Sequence, residues 1–358
     1  MPNEVVLLHL KSVPHLQGHG ALEQSAAYFS GYTKIFVLVD ENTEKFCLPL
    51  FLKKLPHLTV TGIIRIKSGE ENKDIRTTSY IWQQLTRFLA ERGDLLINLG
   101  GGVITDMGGF AAATFKRGID FIQVPTTLLG QVDAAIGFKT GIDFENYKNQ
   151  VGLFAEPKAV MIDPVFLDTL NEEMLRSGFA ELLKYAFIGD IPLWEMMHMR
   201  HFNEMKEDLP AMISLAVRDK IQIVEEDKYE TGLRKLLNFG HTVGHALETF
   251  FMGTDTPASH GDAVAAGMIC ATWISSQRPG LECVASDMIY RMIDRNFPRL
   301  VFSDKDIPAI MQLMQQDKKN RAGKFRFTLL HKLGKAVPDV EIPEEEVEKS
   351  LLFYLRNQ

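Results

Sequence analysis

Hydrophobic and polar positions alternate in two different ways along the chain. Over residues 1–165, short β-branched and apolar runs at 34–40, 59–66, 95–99, 121–124 and 159–162 read as buried strands, with helical patterns between them at 75–92 and 107–115. Strand–helix alternation of this kind predicts an α/β domain with a mainly parallel sheet. Ligands of such sheets bind beyond the carboxyl ends of the strands. From about residue 171 helical periodicity takes over, with helices expected at 209–226, 237–251, 261–276, 287–296 and 344–355 and a short strand near 325–330. Two domains are therefore expected, 1–170 and 171–358, with a soft boundary at 164–171.

Within this pattern the stretch 234–248 is chemically dense. It holds Arg234, Asn238, His241, His245 and Glu248 among the apolar Leu236, Leu237, Phe239, Val243, Ala246 and Leu247. His241 and His245 are four apart and so share a helical face. Gly240 and Gly244 precede them, although glycine costs a helix about 1 kcal/mol relative to alanine, which predicts a close backbone approach. Buried imidazoles need partners or a metal. Glu181, on the apolar segment 178–184 with Lys184 three residues on, and His260 complete a set of one carboxylate and two histidines, the make-up of a catalytic zinc site. His241 and His245 as joint ligands is the rival assignment, and spacing alone does not choose.

Composition narrows the function. At 358 residues with 46% apolar and 24% charged positions the chain is a globular protein of more than one core. A net charge of -7 excludes the basic face of a nucleic-acid binder. Three scattered cysteines fit a reducing compartment. No signal-like start and no apolar run long enough for a bilayer occur, so no membrane partner and a cytoplasmic location are expected. An acidic protein must meet an anionic substrate locally, and Arg117, Lys139, Lys148 and Asn149, around one predicted sheet edge, offer such a cluster. The glycine run after residue 99, ending Thr105-Asp106, is a weak nucleotide signal because its spacing is not GxGxxG.

Taken in order, GGGVITD, KRGIDFIQVPTTLL, QVDAAIGFKTG, SGFAELLKY, DKYETGLRKLLNFGHTVGHALE, SHGDAVAAGM and MQQDKKN resemble the 3-dehydroquinate synthases, a family of sugar phosphate cyclases. The resemblance covers nearly the whole chain. It implies a Rossmann-like α/β NAD-binding domain, a mainly α-helical metal- and substrate-binding domain, and an active site in the cleft between them. It implies NAD and Zn2+ (or Co2+) as cofactors, and conversion of 3-deoxy-D-arabino-heptulosonate 7-phosphate to 3-dehydroquinate and phosphate in the shikimate pathway. The chemistry implied is transient oxidation, phosphate β-elimination, re-reduction and aldol closure.

Carried over by motif, the metal ligands are Glu181, His241 and His260, with His245 facing the substrate phosphate. Substrate contacts fall on Asp133, Lys139, Asn149, Lys184, Lys220, Arg234, Asn238 and Lys318 or Lys319. Arg117 resembles an arginine that reaches the neighbouring site of a homodimer. NAD contacts fall on Asp40, Glu70, Lys73, Gly101, Gly102, Val103, Asp106, Thr126, Thr127, Lys139, Lys148, Phe166 and Thr169. Arg234 and Asn238 match positions that grip the substrate carboxylate, which favours this substrate over those of the 2-deoxy-scyllo-inosose or valiolone synthase type. A metal-dependent alcohol dehydrogenase is the neighbouring alternative. Departures from the family pattern are Thr105 and Phe138 for glycines, and Ala134 and Ala135 for serines.

Overall fold

A seven-stranded sheet organises the first of two units in the computed structural model, which describes residues 5–145, 147–189, 191–252, 254–315 and 324–356. Its strands are β1 (Val6–Leu10), β2 (Val13–Gln17), β3 (Ile35–Asp40), β4 (Gly62–Ile66), β5 (Leu95–Gly100), β6 (Asp120–Pro125) and β9 (Ala159–Ile162); β7 (Lys139–Phe144) and β8 (Tyr147–Phe154) form a separate hairpin. The order is β1-β2-β9-β6-β5-β3-β4, and all pairings are parallel except β1 with β2. The central strands are covered on both faces, which is why β3 and β5 read as mostly apolar runs rather than alternating ones, with the buried Asn98 of β5 donating to Gln123 Oε1. Two apolar clusters flank the sheet, one built on Phe51, Val37 and Phe166, the other on Ile81, Leu96 and Met107.

The helices of this unit are α1 (Ala21–Gln24), α2 (Glu41–Phe46), α3 (Leu48–Lys54), α4 (Ile75–Arg87) and α5 (Gly102–Thr114). Then follow α6 (Glu172–Ile188), α7 (Ile191–Met197), α8 (Leu209–Glu226), α9 (His241–Phe251), α10 (His260–Ser276), α11 (Cys283–Asn296), α12 (Ile307–Gln315) and α13 (Glu344–Arg356), with a hairpin of β10 (Phe325–Lys332) and β11 (Lys335–Ile342). By internal contacts unit 1 comprises Met1–Leu175 with Lys220–Glu225, and unit 2 comprises Arg176–Asp219 with Glu226–Gln358. No described helix is long and apolar enough to cross a membrane.

Several elements differ from the sequence reading, each for a local reason. The helix expected to start at residue 107 begins at Gly102, because its glycines serve packing: a Cβ on Gly108 would stand 2.1 Å from Asn98 Oδ1 on the sheet. The helix expected over 237–251 is broken. A 3-10 turn covers Leu233–Asn238, and Gly240 at φ 80° separates it from α9. β1, β2, β7 and β8 were not anticipated.

The chain leaves β3 toward β4 on one side and later runs β5, β6, β9 toward the other. The topological switch point therefore lies between β3 and β5, and their carboxyl ends, Asp40 and Gly100, mark the crevice where such sheets take ligands.

Candidate active site

In unit 2 a carboxylate sits where none would be stable alone. Glu181 lies on α6 among Phe179, Ala180, Leu182 and Leu183, all of them fully buried, and is itself 0% exposed. Lys184, three residues on and 1% exposed, forms an ion pair with Glu181 Oε2. Oε1 faces the Nε2 atoms of His241 and His260, each at 3.3 Å. Burial alone would raise the Glu181 pKa, but Lys184 and His241 override it and hold the carboxyl well below its usual range. Burial pushes His241 down, so its imidazole is neutral.

Helix approach sets these distances. His260 is the first residue of α10, whose N-cap Ser259 accepts from Asp262 N at 3.1 Å. Gly261 follows it, and a Cβ there would meet Ser177 Cα at 2.3 Å. Gly261 N also donates to Ser177 Oγ at 3.0 Å. Ser177 is one turn before Glu181, so this contact brings His260 down onto the carboxylate. Arg176 adds a two-pronged ion pair to Asp262. On the other side α9 meets α10 backbone to backbone: a Cβ on Gly240 would be 2.9 Å from Val264 O. The close approach expected at the glycines of 234–248 is thus real.

The donor set fits a divalent cation. One ligand atom each from Glu181, His241 and His260 lies within 4.8 Å of the others. Metal bonds of ~2.0–2.1 Å in a tetrahedron put neighbouring ligand atoms about 3.3 Å apart, the separation seen from each histidine to Glu181. Both Nδ1 atoms face acceptors, Phe239 O at 3.1 Å for His241 and Glu248 Oε2 at 3.3 Å for His260. An acceptor-only neighbour requires hydrogen on Nδ1, which leaves each Nε2 lone pair for an ion. The third imidazole, His245, stands with its ring centroid 5.2 Å from that of His241 and 6.1 Å from that of His260, and is half-buried.

Upstream of α9, Arg234 and Asn238 are held by residues that the sequence reading did not single out. Asp227 accepts from Thr231 N, Gly232 N and Arg234 N at 2.9, 2.7 and 3.1 Å, folding residues 227–234 into a loop. Arg234 is 2% exposed, and its Nη1 donates to Lys228 O at 2.7 Å. Glu230, at φ 58°, accepts from Asn238 Nδ2 at 2.7 Å. The signal for Asp227 and Glu230 was the acidic DKYE run directly before Arg234.

Unit 1 has a second charged centre. Lys73, 3% exposed, donates to Asp106 Oδ2 at 2.8 Å and Asn149 Oδ1 at 2.7 Å, with Glu70 Oε1 at 3.6 Å. Burial would lower the Lys73 pKa, but Asp106 and Glu70 raise it above its ordinary value and keep it charged. Four expected NAD or substrate residues therefore meet here. Lys220 Nζ pairs with Asp133 Oδ1 at 2.5 Å. Lys139 is exposed but close enough to act electrostatically on Asp106. Lys148 is half-buried.

At the switch point, Asp40 caps α2 by accepting from Asn42 N and Thr43 N at 2.9 and 2.7 Å. Gly101 opens α5 without a side-chain cap and packs against Thr127, whose Oγ1 accepts from Gly130 N at 3.0 Å. Gly102 and Val103 form the first turn of α5, and the neighbouring Thr126 N donates to Gly100 O at 3.0 Å. An α5 start after a strand, with its first N–H groups free of a side-chain cap, fits the pyrophosphate of a dinucleotide. Thr169 Oγ1 donates to Phe166 O at 2.6 Å, and Phe166 is buried. Arg117 is exposed on a turn where Lys116, Arg117 and Gly118 all have positive φ. Lys318 and Lys319 lie outside the described residues.

The family model described as 3-dehydroquinate synthase N-terminal matches residues 63–177, and that for the C-terminal part matches 178–320. The 3-dehydroquinate synthase of Parabacteroides distasonis is 40% identical over 90% of this chain and 92% of its own. Among solved structures, 2-deoxy-scyllo-inosose synthase complexed with carbaglucose-6-phosphate, NAD+ and Co2+ superposes with TM-score 0.84 at 21% identity, covering 97% of this chain and 99% of that one. The 2-epi-5-epi-valiolone synthase of Streptomyces hygroscopicus with NAD+ and Zn2+ gives 0.84 at 24% identity, over 99% and 100%. The fold shared with these structures is an α/β unit followed by a mainly helical one. The chain belongs to the 3-dehydroquinate synthase family.

Proposed function

We propose that the protein converts 3-deoxy-D-arabino-heptulosonate 7-phosphate to 3-dehydroquinate and inorganic phosphate, with NAD recycled and Zn2+ or Co2+ held by Glu181, His241 and His260. The observation that carries this reading is the buried Glu181 with two Nε2 atoms at tetrahedral-edge distance, in a chain of this family. Bound there, the metal supplies Lewis acidity toward substrate oxygens, and NAD supplies a reversible hydride acceptor that acidifies the proton beside the oxidised carbon.

The chain's own groups bind and orient. Arg234, aimed by the Asp227 loop, offers a fork to the substrate carboxylate, and Asn238 sits one helical turn on. His245 and the amines of Lys139, Lys184 and Lys220 receive the phosphate, with Lys318 or Lys319, and favour its departure by neutralising charge that grows on its oxygens. The departing phosphate takes the acidified proton on its own oxygen. Asp133 orients Lys220 through their ion pair. Lys73 ties Asp106 and Glu70, on the nucleotide side, to Asn149 on the substrate side. Asp40, Gly101, Gly102, Val103, Thr126, Thr127, Lys148, Phe166 and Thr169 surround the dinucleotide. Arg117, exposed on its left-handed turn, serves the neighbouring subunit of a homodimer.

The test is a substrate panel. Purified protein with NAD and zinc is given the heptulosonate phosphate, sedoheptulose 7-phosphate or glucose 6-phosphate. Phosphate release from the first alone is expected; release only from a sugar phosphate without a carboxylate overturns the assignment.

A further inference from the structure

The two histidines that face Glu181 are held from behind in different ways. His241 Nδ1 meets a backbone carbonyl, Phe239 O at 3.1 Å, which no side-chain substitution removes. His260 Nδ1 meets a side chain, Glu248 Oε2 at 3.3 Å. Glu248 lies two turns beyond His241 on α9, so this helix supplies one imidazole itself and grips the other, which begins α10. Glu248 is half-buried, and His260 shows less than a quarter of its side-chain surface, so solvent does not easily replace the contact.

We propose that Glu248 is the positioning carboxylate of the metal site. By accepting the Nδ1 hydrogen of His260 it fixes the tautomer and ring angle that aim the Nε2 lone pair at the ion, and its charge makes that nitrogen a stronger donor. The inference rests on the metal reading above. Glu248 does not join the same ion as a ligand, because it faces the ring nitrogen turned away from Glu181. His245, Glu248 and His260 do bring three donor atoms within 4.8 Å of one another, so a separate ion is the competing arrangement. In that arrangement His260 would have to surrender its Nδ1 hydrogen, which a neutral imidazole that already offers Nε2 does not do.

The experiment uses the full-length protein stripped of metal, with Zn2+ affinity read by competition against a chelator and coordination read from the visible spectrum of the Co2+ form. Glu248→Ala removes the acceptor and is expected to weaken Zn2+ binding roughly 10–100-fold and to shift the Co2+ bands. Glu248→Gln keeps an acceptor oxygen without the charge and is expected to fall between Glu248→Ala and the parent. It is nearly isosteric and keeps the proposal testable if the alanine variant does not fold. Parent-like affinity and spectrum in both variants, with His260→Ala losing the metal, overturn the positioning role alone. A His260→Ala protein that keeps its zinc overturns the metal reading beneath it. Loss of a second equivalent of zinc in Glu248→Ala would make Glu248 a ligand of another ion and also overturn the proposal.

Discussion

Each unit of this protein buries a charged centre, and the two are balanced differently. In unit 1 the Lys73 ammonium is surrounded by Asp106, Asn149 and Glu70, so the cation and its acceptors complete one another. In unit 2 the carboxylates Glu181 and Glu248 face one lysine and two imidazoles whose Nε2 atoms point toward Glu181. The first centre is a finished ion pair; the second sets two carboxylates against one lysine and two imidazoles. Two histidines, His15 buried and His260 half-buried, show the same contrast. Burial pushes His15, on β2, down to about 4, and only Val13 O opposes it. Burial acts on His260 too, yet Glu248 and Glu181 override it and push the imidazole up to about 10. The anions around the ring make the difference, and a metal held at Nε2 would take the proton's place.

The largest effect should come from removing the acid at the centre of unit 2. Glu181→Gln is expected to cost more than the roughly 10–100-fold loss of metal affinity typical of outer partners, and with it turnover; metal content after dialysis measures this. In unit 1 Lys73→Met leaves Asp106 without its cation and should destabilise the fold by about 3–5 kcal/mol. Metal content should be unchanged, and urea unfolding beside metal analysis separates the two centres.

How much of this was legible before the structure depended on whether a residue's partner was near in sequence or in space. Glu181, His241 and His260 stood out because polar groups on apolar helical runs need a reason. The central strands stood out because burial on both faces makes them mostly apolar. β8 did not, since nearly all of its side chains are exposed or half-exposed and no period-two pattern survives. The start of α5 was hidden by glycines that the sheet requires. Glu248 was visible as a carboxylate, but its link to His260 exists only once α9 and α10 are packed. Phe138 was an open question: it is 4% exposed with φ 66°, so its ring is buried and its backbone adopts the left-handed conformation that a glycine holds without strain.

Smaller effects sharpen the comparison further. His15 keeps a folded pKa of about 4 against an ordinary 6.5, so between these values the unfolded chain binds a proton that the folded chain refuses. Stability should therefore fall as pH drops from 6.5 to about 4, by roughly 3 kcal/mol in all. His15→Gln should flatten that slope in denaturant titrations across this range. Phe138→Gly exchanges about 1–2 kcal/mol of backbone strain for lost ring burial worth about 1.5–3 kcal/mol. A net destabilisation of about 1 kcal/mol or less is expected, with turnover within about twofold of the parent.

A cyclase returns the hydride that its NAD takes up, whereas a dehydrogenase releases it as NADH. The direct measurement follows phosphate release and NADH absorbance together during turnover of the heptulosonate phosphate. Phosphate accumulating with substrate consumed, and no net NADH, is the predicted result. NADH rising in step with substrate loss while no phosphate appears would make the protein a dehydrogenase and contradict the account.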